Sequence, residues 1–303
     1  MRTLLIVNPV AGRGAGIRLA KRFESALTQA RREVRVAMTT AEHGAQHLLQ
    51  GSLGQWAQAI VVMGGDGTIF HVLQDMPPNA VLGVIPLGTG NVLTKELGAF
   101  PRGYFQKTAF FSEALAPILE SRVREIDLIQ MNGKRKASCV VSAGFDGWVA
   151  HMLDQQRRSR PMHILEYFGL ALRALKKPMH RFTILLDDVE VTRDARWVNV
   201  GNTASFGGPL SFHPNADPSD GLLDVMWSER DPKRHTIPHF AMAMTGSCAR
   251  YPGVHVRRAR KIELLPVGEE EIVPYQCDGE DGGKIPLTLT VLPRALRVYA
   301  ARL

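Results

Sequence analysis

Only three cysteines occur in 303 residues. Cys139, Cys248 and Cys277 are widely spaced and odd in number, which argues against a disulfide framework or a zinc site and fits a reducing cytoplasm. Long hydrophobic runs are also missing: none approaches the roughly 18 apolar residues that a membrane-spanning helix needs. The opening run Met1–Val7 is too short for a signal peptide, stops at Asn8-Pro9, and reads as a first buried strand. A Walker A loop is absent. Gly12, Gly14 and Gly16 occupy the place of a dinucleotide fingerprint but miss its spacing, because position 17 is Ile. There is no zinc-finger or basic-zipper pattern, no internal repeat and no low-complexity tract.

The remaining composition is ordinary. Hydrophobic residues make up 45% and charged residues 22%, as in globular proteins. The length suits two domains or one large one. A net charge of +8 suits anionic partners without choosing among nucleic acid, lipid and small anions.

The first third alternates strand and helix. Thr3–Val7, Val34–Met38, Ala59–Met63 and Val81–Ile85 read as strands. A turn over Asn8–Gly16 leads into a helix over Ile17–Arg32, and a short helix is expected over His43–Gln50. This pattern predicts a mostly parallel sheet with helices on both faces, whose ligands collect at the carboxyl ends of the strands. Near residue 122 the texture changes. Arg124–Met131 and Lys134–Ser142 read as a hairpin around Asn132-Gly133. Phe182–Leu186, Trp197–Gly201, Leu222–Trp227, Lys261–Leu265, Ile272–Gln276 and Leu287–Val291 are further strands. An antiparallel, sandwich-like domain is expected there, with helical inserts at Met162–Lys177 and Pro232–Met244. The expected division is residues 1–122 and 123–293, with the closing strand Leu296–Ala301, within 294–303, a candidate to return to the first domain.

The most informative stretch is Gly64-Gly65-Asp66-Gly67-Thr68, directly after a buried strand. Its glycines allow a sharp turn and close approach of backbone N–H groups to a ligand. The following residues, Ile69 and Phe70 onward, start a helix whose N-terminus favours phosphate. One acid there would repel phosphate unless a cation lay between, so the loop suggests a nucleotide with Mg²⁺. Gly88-Thr89-Gly90-Asn91 follows the next strand, where Thr89 can donate to a phosphate and Asn91 can cap the turn or orient a nucleotide. Thr40, after the second strand, offers a hydroxyl or caps a helix. Asn215–Asp224 is dense in carboxylates and suits either a hard cation or a charged surface turn. Cys277-Asp278-Gly279-Glu280-Asp281 places three carboxylates after a strand, which suits a hairpin turn or a base for a hydroxyl proton.

In this order, these motifs resemble the diacylglycerol kinase catalytic-domain family, which includes sphingosine kinases and is related to NAD kinases and phosphofructokinases. The resemblance runs through Val7-Asn8-Pro9, Gly64–Thr68, Pro86–Asn91, Gly144-Phe145-Asp146, Asp220–Val225 and Asp278–Glu280. It implies an ATP-dependent lipid kinase that phosphorylates a lipid hydroxyl, of diacylglycerol or a related glycerolipid. Asn8, Thr40, Gly64, Gly65, Asp66, Gly67, Thr68, Ile69, Phe70, Gly88, Thr89, Gly90 and Asn91 match family positions around ATP, with Asp66 held to magnesium directly or through water. Asp220, with the carbonyls of Asp217 and Leu222, matches a structural magnesium site. Glu280 matches the general base, Asp278 would support the metal–water network, and Asp66 is the rival base. Two departures stand out: Phe70-His71 replaces a frequent Asn-Glu, and Val92 a frequent Asp. A sphingoid base or NAD as acceptor, or an inactive binding regulator, remain the alternatives.

Access to a lipid needs a membrane surface. Met162–Lys177 carries Leu165, Phe168, Leu172 and Leu175 at helical spacing. Arg157, Arg158, Arg160, Arg173, Lys176, Lys177 and Arg181 cluster around it. The segment reads either as a basic amphipathic helix on an anionic bilayer or as a core helix with a solvated face. The expected location is cytoplasmic, peripheral at the inner face of the membrane, with no nucleic-acid partner.

Overall fold

A computed structural model describes residues 1–40, 44–100, 107–157, 164–206, 210–268 and 270–301. The chain forms two compact units, Met1–Asp127 with Pro293–Leu303, and Leu128–Leu292.

In the first unit, β1 (Arg2–Val7), β2 (Glu33–Met38), β3 (Ala59–Gly64) and β4 (Val81–Pro86) are parallel in the order β2-β1-β3-β4. Every residue of β3 and β4 is buried, the continuous apolar pattern of a parallel sheet covered on both faces. The helix Ala11–Gln29 lays Ala20, Phe23 and Leu27 against Leu5, Val7, Val61 and Met63. It begins earlier than the expected Ile17, with Gly12 and Gly14 at positive φ in its first turns. The sheet's last member comes from the far end of the sequence: Arg297 and Val298 pair in parallel with Val81 and Leu82. Buried Arg32 fixes this strand by donating to the Tyr299 hydroxyl at 3.1 Å, to Ser121 Oγ at 3.2 Å, and to the Ile118 carbonyl.

The second unit contains β5 (Val123–Met131, begun in the first unit), β6 (Arg135–Ala137), β7 (Val140–Ala143), β8 (Phe182–Leu186), β9 (Val189–Ala195) and β10 (Trp197–Gly201). Then follow β11 (Leu223–Ser228), β12 (Val254–Ala259), β13 (Lys261–Pro266), β14 (Pro274–Cys277), β15 (Glu280–Lys284) and β16 (Leu287–Tyr299, whose end serves the first unit). One antiparallel sheet runs β12-β11-β10-β7-β14-β15. In the other, β16, β13, β8 and β9 pair antiparallel in turn. The helices Phe145–Arg157 and Ile164–Ala174 cover the first of these sheets, burying Phe145, Leu153, Leu170 and Ala174 with Trp197, Phe212 and Met226.

The turn Asn132-Gly133 joins β5 and β6 with φ of 48° and 67°, the conformation that Asn-Gly favours in a two-residue hairpin. The expected second arm, Lys134–Ser142, is divided. Only Arg135–Ala137 pairs with β5, while residues from Val140 onward join the other sheet between β10 and β14. The cause is local: a carboxylate from the β14–β15 turn takes the N–H groups of Ser138, Cys139 and Val140, which are therefore lost to the hairpin ladder. The three cysteines are buried free thiols.

Candidate functional site

The candidate residues fall in two groups, one in each unit. In the first unit, parallel register brings the ends of β1, β3 and β4 side by side, Val7 opposite Met63 and Gly64 opposite Pro86. The Asn8 N–H donates to the Met63 carbonyl at 3.0 Å and its side-chain amide to Thr68 Oγ1 at 3.1 Å. The Leu87 N–H donates to the Gly64 carbonyl at 2.8 Å. The two glycine turns thus touch through their backbones. A Cβ on Gly88 would lie 2.5 Å from the Gly65 Cα, so a side chain there cannot be accommodated without moving main chain.

The helix Asp66–Gln74 starts at Gly65 with no side-chain cap, and the Thr68 and Ile69 N–H groups donate to the Gly65 carbonyl at 3.0 and 3.1 Å. Asp66 does not simply project toward a ligand. Its Oδ1 accepts the Val92 N–H at 2.8 Å, at the start of the helix Val92–Glu96, and a Cβ on Gly90 would lie 2.7 Å from its Oδ2. One carboxylate therefore serves two helix starts, where negative charge is favoured. Val92 acts through its backbone, so the departure from Asp at that position leaves this contact intact. Asn91 is buried in the left-handed region, φ 49°. Its side chain closes the turn on itself, accepting the Gly88 N–H at 3.0 Å and donating to the Gly88 carbonyl at 2.7 Å. Thr89 is exposed at the tip, and Thr40 is exposed after β2. Ile69 and Phe70 are core residues, so any contact they make with a ligand is through the main chain.

In the second unit Asp278 and Gly279, at φ 48° and 85°, form the two-residue turn between β14 and β15. Both readings of this motif meet here: it is a hairpin turn, and Glu280 follows it half-buried, opposite Cys277. Asp278 is fully engaged by protein donors. Its Oδ1 accepts the N–H groups of Cys139 and Val140, both at 2.9 Å, and its Oδ2 accepts the Ser138 N–H at 2.7 Å and hydroxyl at 2.9 Å. Burial pushes its pKa up, against the pull of these four donors. Asp281 Oδ2 meets His151 Nδ1 at 2.8 Å.

The Asp217–Asp224 turn largely satisfies itself. Asp217 Oδ1 accepts the Ser219 N–H and hydroxyl at 3.0 and 2.6 Å, and Asp220 Oδ1 accepts the Leu222 N–H at 3.0 Å. Arg258 sits on Asp220 Oδ2 at 3.1 Å. One carboxylate and two carbonyls, completed by water, fit magnesium's preference for oxygen ligands, with the Arg258 guanidinium as the competing cation. Among the described residues, no group of three or more His, Cys, Asp or Glu side chains could hold a metal.

Gly144, at φ 94°, starts the helix that carries Asp146; a Cβ there would run into the Arg196 carbonyl. Asp146 is buried and accepts the Trp197 indole N–H at 2.9 Å, and burial pushes its pKa up to about 6. Of the basic segment, residues 158–163 and the side chains of Arg157, Leu165 and Phe168 lie outside the described residues. In the remainder Leu170 and Ala174 face the core, and Leu172, Arg173 and Lys176 are exposed. Among the described residues no helix is long and apolar enough to cross a membrane. The sequence reading did not single out His151 and Gln155, whose only signal is a spacing of four on one helix.

The chain thus places glycine turns at parallel strand ends in its first unit and antiparallel sheets in its second. Comparison with known families makes this specific. Residues 2–131 match the diacylglycerol kinase catalytic domain, and residues 139–300 match the YegS C-terminal NAD kinase beta sandwich-like domain. The chain belongs to the family of the YegS C-terminal NAD kinase beta sandwich-like domain, which spans more than half of it, and carries a diacylglycerol kinase catalytic domain before that. It is 29% identical to a diacylglycerol kinase of Mycobacterium tuberculosis, covering 98% of this chain and 94% of that one. It is 25% identical to a diacylglycerol kinase of Bacillus subtilis, over 98% and 95% of the two chains. A crystal structure of a diacylglycerol kinase from Bacillus anthracis superimposes with a TM-score of 0.72 over 99% of this chain and 96% of that one, at 21% identity, a likeness of fold.

Proposed function

We propose that this chain is an ATP-dependent lipid kinase that transfers the γ-phosphoryl group to the hydroxyl of diacylglycerol or a related glycerolipid. The observation that carries the reading is the backbone-to-backbone contact of Gly65 and Gly88, with Asp66 joining the two turns. Such a surface offers N–H groups to a phosphate chain with little reorganisation. In this reading Asn8, Thr40, Thr89 and the main chain of Gly64–Phe70 and Gly88–Asn91 hold ATP. Asp66 would hold magnesium, whose charge, when bound, offsets that of the phosphates. A second magnesium would rest on Asp220 and the carbonyls of Asp217 and Leu222, in exchange for Arg258.

Glu280 takes the proton of the lipid hydroxyl as its oxygen forms a bond to the γ-phosphorus. The bond from that phosphorus to the β,γ-bridging oxygen breaks, and ADP leaves. Catalysis comes from placement and charge rather than a covalent intermediate. Asp278, with four protein donors, supports the turn that carries Glu280. The exposed Leu172, Arg173 and Lys176 favour contact with an anionic bilayer, where each nearby basic residue contributes about 1 kcal/mol. This reading puts the enzyme in the cytoplasm, at the inner membrane face.

The test is labelled ATP with dioleoylglycerol and, separately, a total lipid extract. Glu280→Gln should lower turnover by ~10²-fold or more while ATP still binds. Full activity in that variant ends the assignment of Glu280, and ATP binding without any labelled lipid ends the kinase reading.

A further inference from the structure

We infer that His151, acting through Asp281, is a positioning residue for Glu280; this rests on the reading above that Glu280 takes the acceptor proton. The need for such a residue follows from where Glu280 sits. Among the described residues, β15 is the edge of its sheet and pairs with β14 alone. The ladder is interrupted once: Cys277–Glu280 and Gln276–Asp281 are in one register, Tyr275–Gly283 and Pro274–Lys284 in another, with the shift between Tyr275 and Gln276. Bulged edge strands are weakly held by their backbone. Gly279, Gly282 and Gly283 surround Glu280, and glycine has the most conformational freedom to lose on ordering. A base on this segment would wander unless side chains held it.

Two sets of side-chain contacts do so. On the turn side, Asp278 is fixed by Ser138, Cys139 and Val140, and the Gly279 N–H donates to Gln276 Oε1 at 2.8 Å. On the strand side Arg135 Nη1 donates to the Gly282 carbonyl at 3.3 Å, and Asp281 makes two further contacts. Its Oδ1 accepts the Gly283 N–H at 3.0 Å and its Oδ2 meets His151 Nδ1 at 2.8 Å. Gln155 Nε2 lies 3.1 Å from His151 Nε2, one helical turn on. With the Gln155 amide donating to Nε2, the imidazole proton sits on Nδ1 and points at Asp281. Consecutive strand residues project to opposite faces. Tying Asp281 to the helix Phe145–Arg157 therefore fixes the opposite direction of the Glu280 side chain.

The test uses the full chain. Variants His151→Ala, His151→Asn and Glu280→Gln are compared by kcat and KM for ATP with the total lipid extract, and by hydrogen exchange of amides 279–283. His151→Ala should lower kcat about tenfold, the scale of a modest misplacement of a reacting group, and leave KM for ATP within about twofold. Amides 279–283 should exchange faster while those of β10 and β11 do not change. His151→Asn, whose amide N–H stands where Nδ1 stood, should restore most of both. Unchanged exchange at 279–283 in His151→Ala overturns the inference. So does wild-type kcat in that variant when Glu280→Gln is inactive, or a loss that His151→Asn fails to restore. Full activity in Glu280→Gln instead removes the base reading, and the exchange result then still decides whether His151 orders the hairpin.

Discussion

Asp146 allows a sharp test of which role its motif serves. Gly144-Phe145-Asp146 is one of the motifs that carry the family resemblance, and the fold buries its carboxyl against Trp197. Burial raises its pKa from 3.8 to about 6, with the hydrogen bonds from Trp197 and Ser142 acting the other way. A carboxyl whose pKa is higher in the folded chain binds its proton more tightly there. Its contribution favours folding below about pH 4 and is lost as pH rises through 6. The difference corresponds to roughly 3 kcal/mol that the ionised group costs the fold at pH 8. Asp146→Asn is neutral at every pH and keeps an oxygen to accept the indole N–H. Relative to wild type it should be more stable by up to about 3 kcal/mol at pH 8 and nearly equal at pH 4. With a urea m-value near 3 kcal/mol per molar, the midpoint rises by about 1 M. Urea unfolding followed by tryptophan fluorescence reads this directly, since Trp197 is the partner. A lower midpoint at pH 8, or the same gain at both pH values, would refute the argument. Lipid phosphorylation should persist in the variant; its loss with a raised midpoint would assign Asp146 to substrate contact.

Three further outcomes follow from the same reasoning. Burial lowers the pKa of both His213 and His239 to about 4, so each stays neutral in the fold, and stability should fall as pH drops from 6.5 toward 4. His239 stacks on Tyr251, meets Trp197 edge-on and has a buried, unpartnered Nε2, so His239→Phe should remove roughly half of that acid loss, up to about 3 kcal/mol, in urea melts at pH 4. Gly88→Ala should weaken ATP binding tenfold or more in calorimetry with the circular dichroism spectrum kept, because the added carbon meets Gly65 main chain; unchanged affinity would deny the turn its role. Leu172→Asp with Lys176→Glu, both at exposed positions, should abolish flotation with anionic vesicles at physiological salt, and unchanged binding would remove this segment from membrane contact.

Much of the fold was legible because its signals are local. The buried runs of β3 and β4, the glycine turns after them and the Asn132-Gly133 hairpin each declare themselves within a few residues. The fate of Ser138–Val140 was not legible, since it depends on a carboxylate 138 residues or more away in sequence. β9 and β12 escaped notice for a different reason: alternating with exposed charges, Glu190, Arg193, Arg257 and Arg258 among them, they lack an apolar run. Among the candidate residues, the sequence names Asp66 and Asp278 but not their hydrogen-bond partners. Both carboxylates are spent on backbone N–H groups that only the folded chain brings to them. His151 had no motif to announce it, because its meaning comes from the strand it faces.

The last strand has a consequence for biosynthesis. Residues near Tyr299 complete the sheet on which the glycine turns are built, and Arg32 waits for them from near the start of the chain. A ribosome therefore exposes an amino-terminal unit whose β4 edge stays open, in addition to β2, for nearly the entire time of translation. That edge is covered late, once the residues of the second unit have already emerged, so a prematurely terminated chain would be a substrate for proteases.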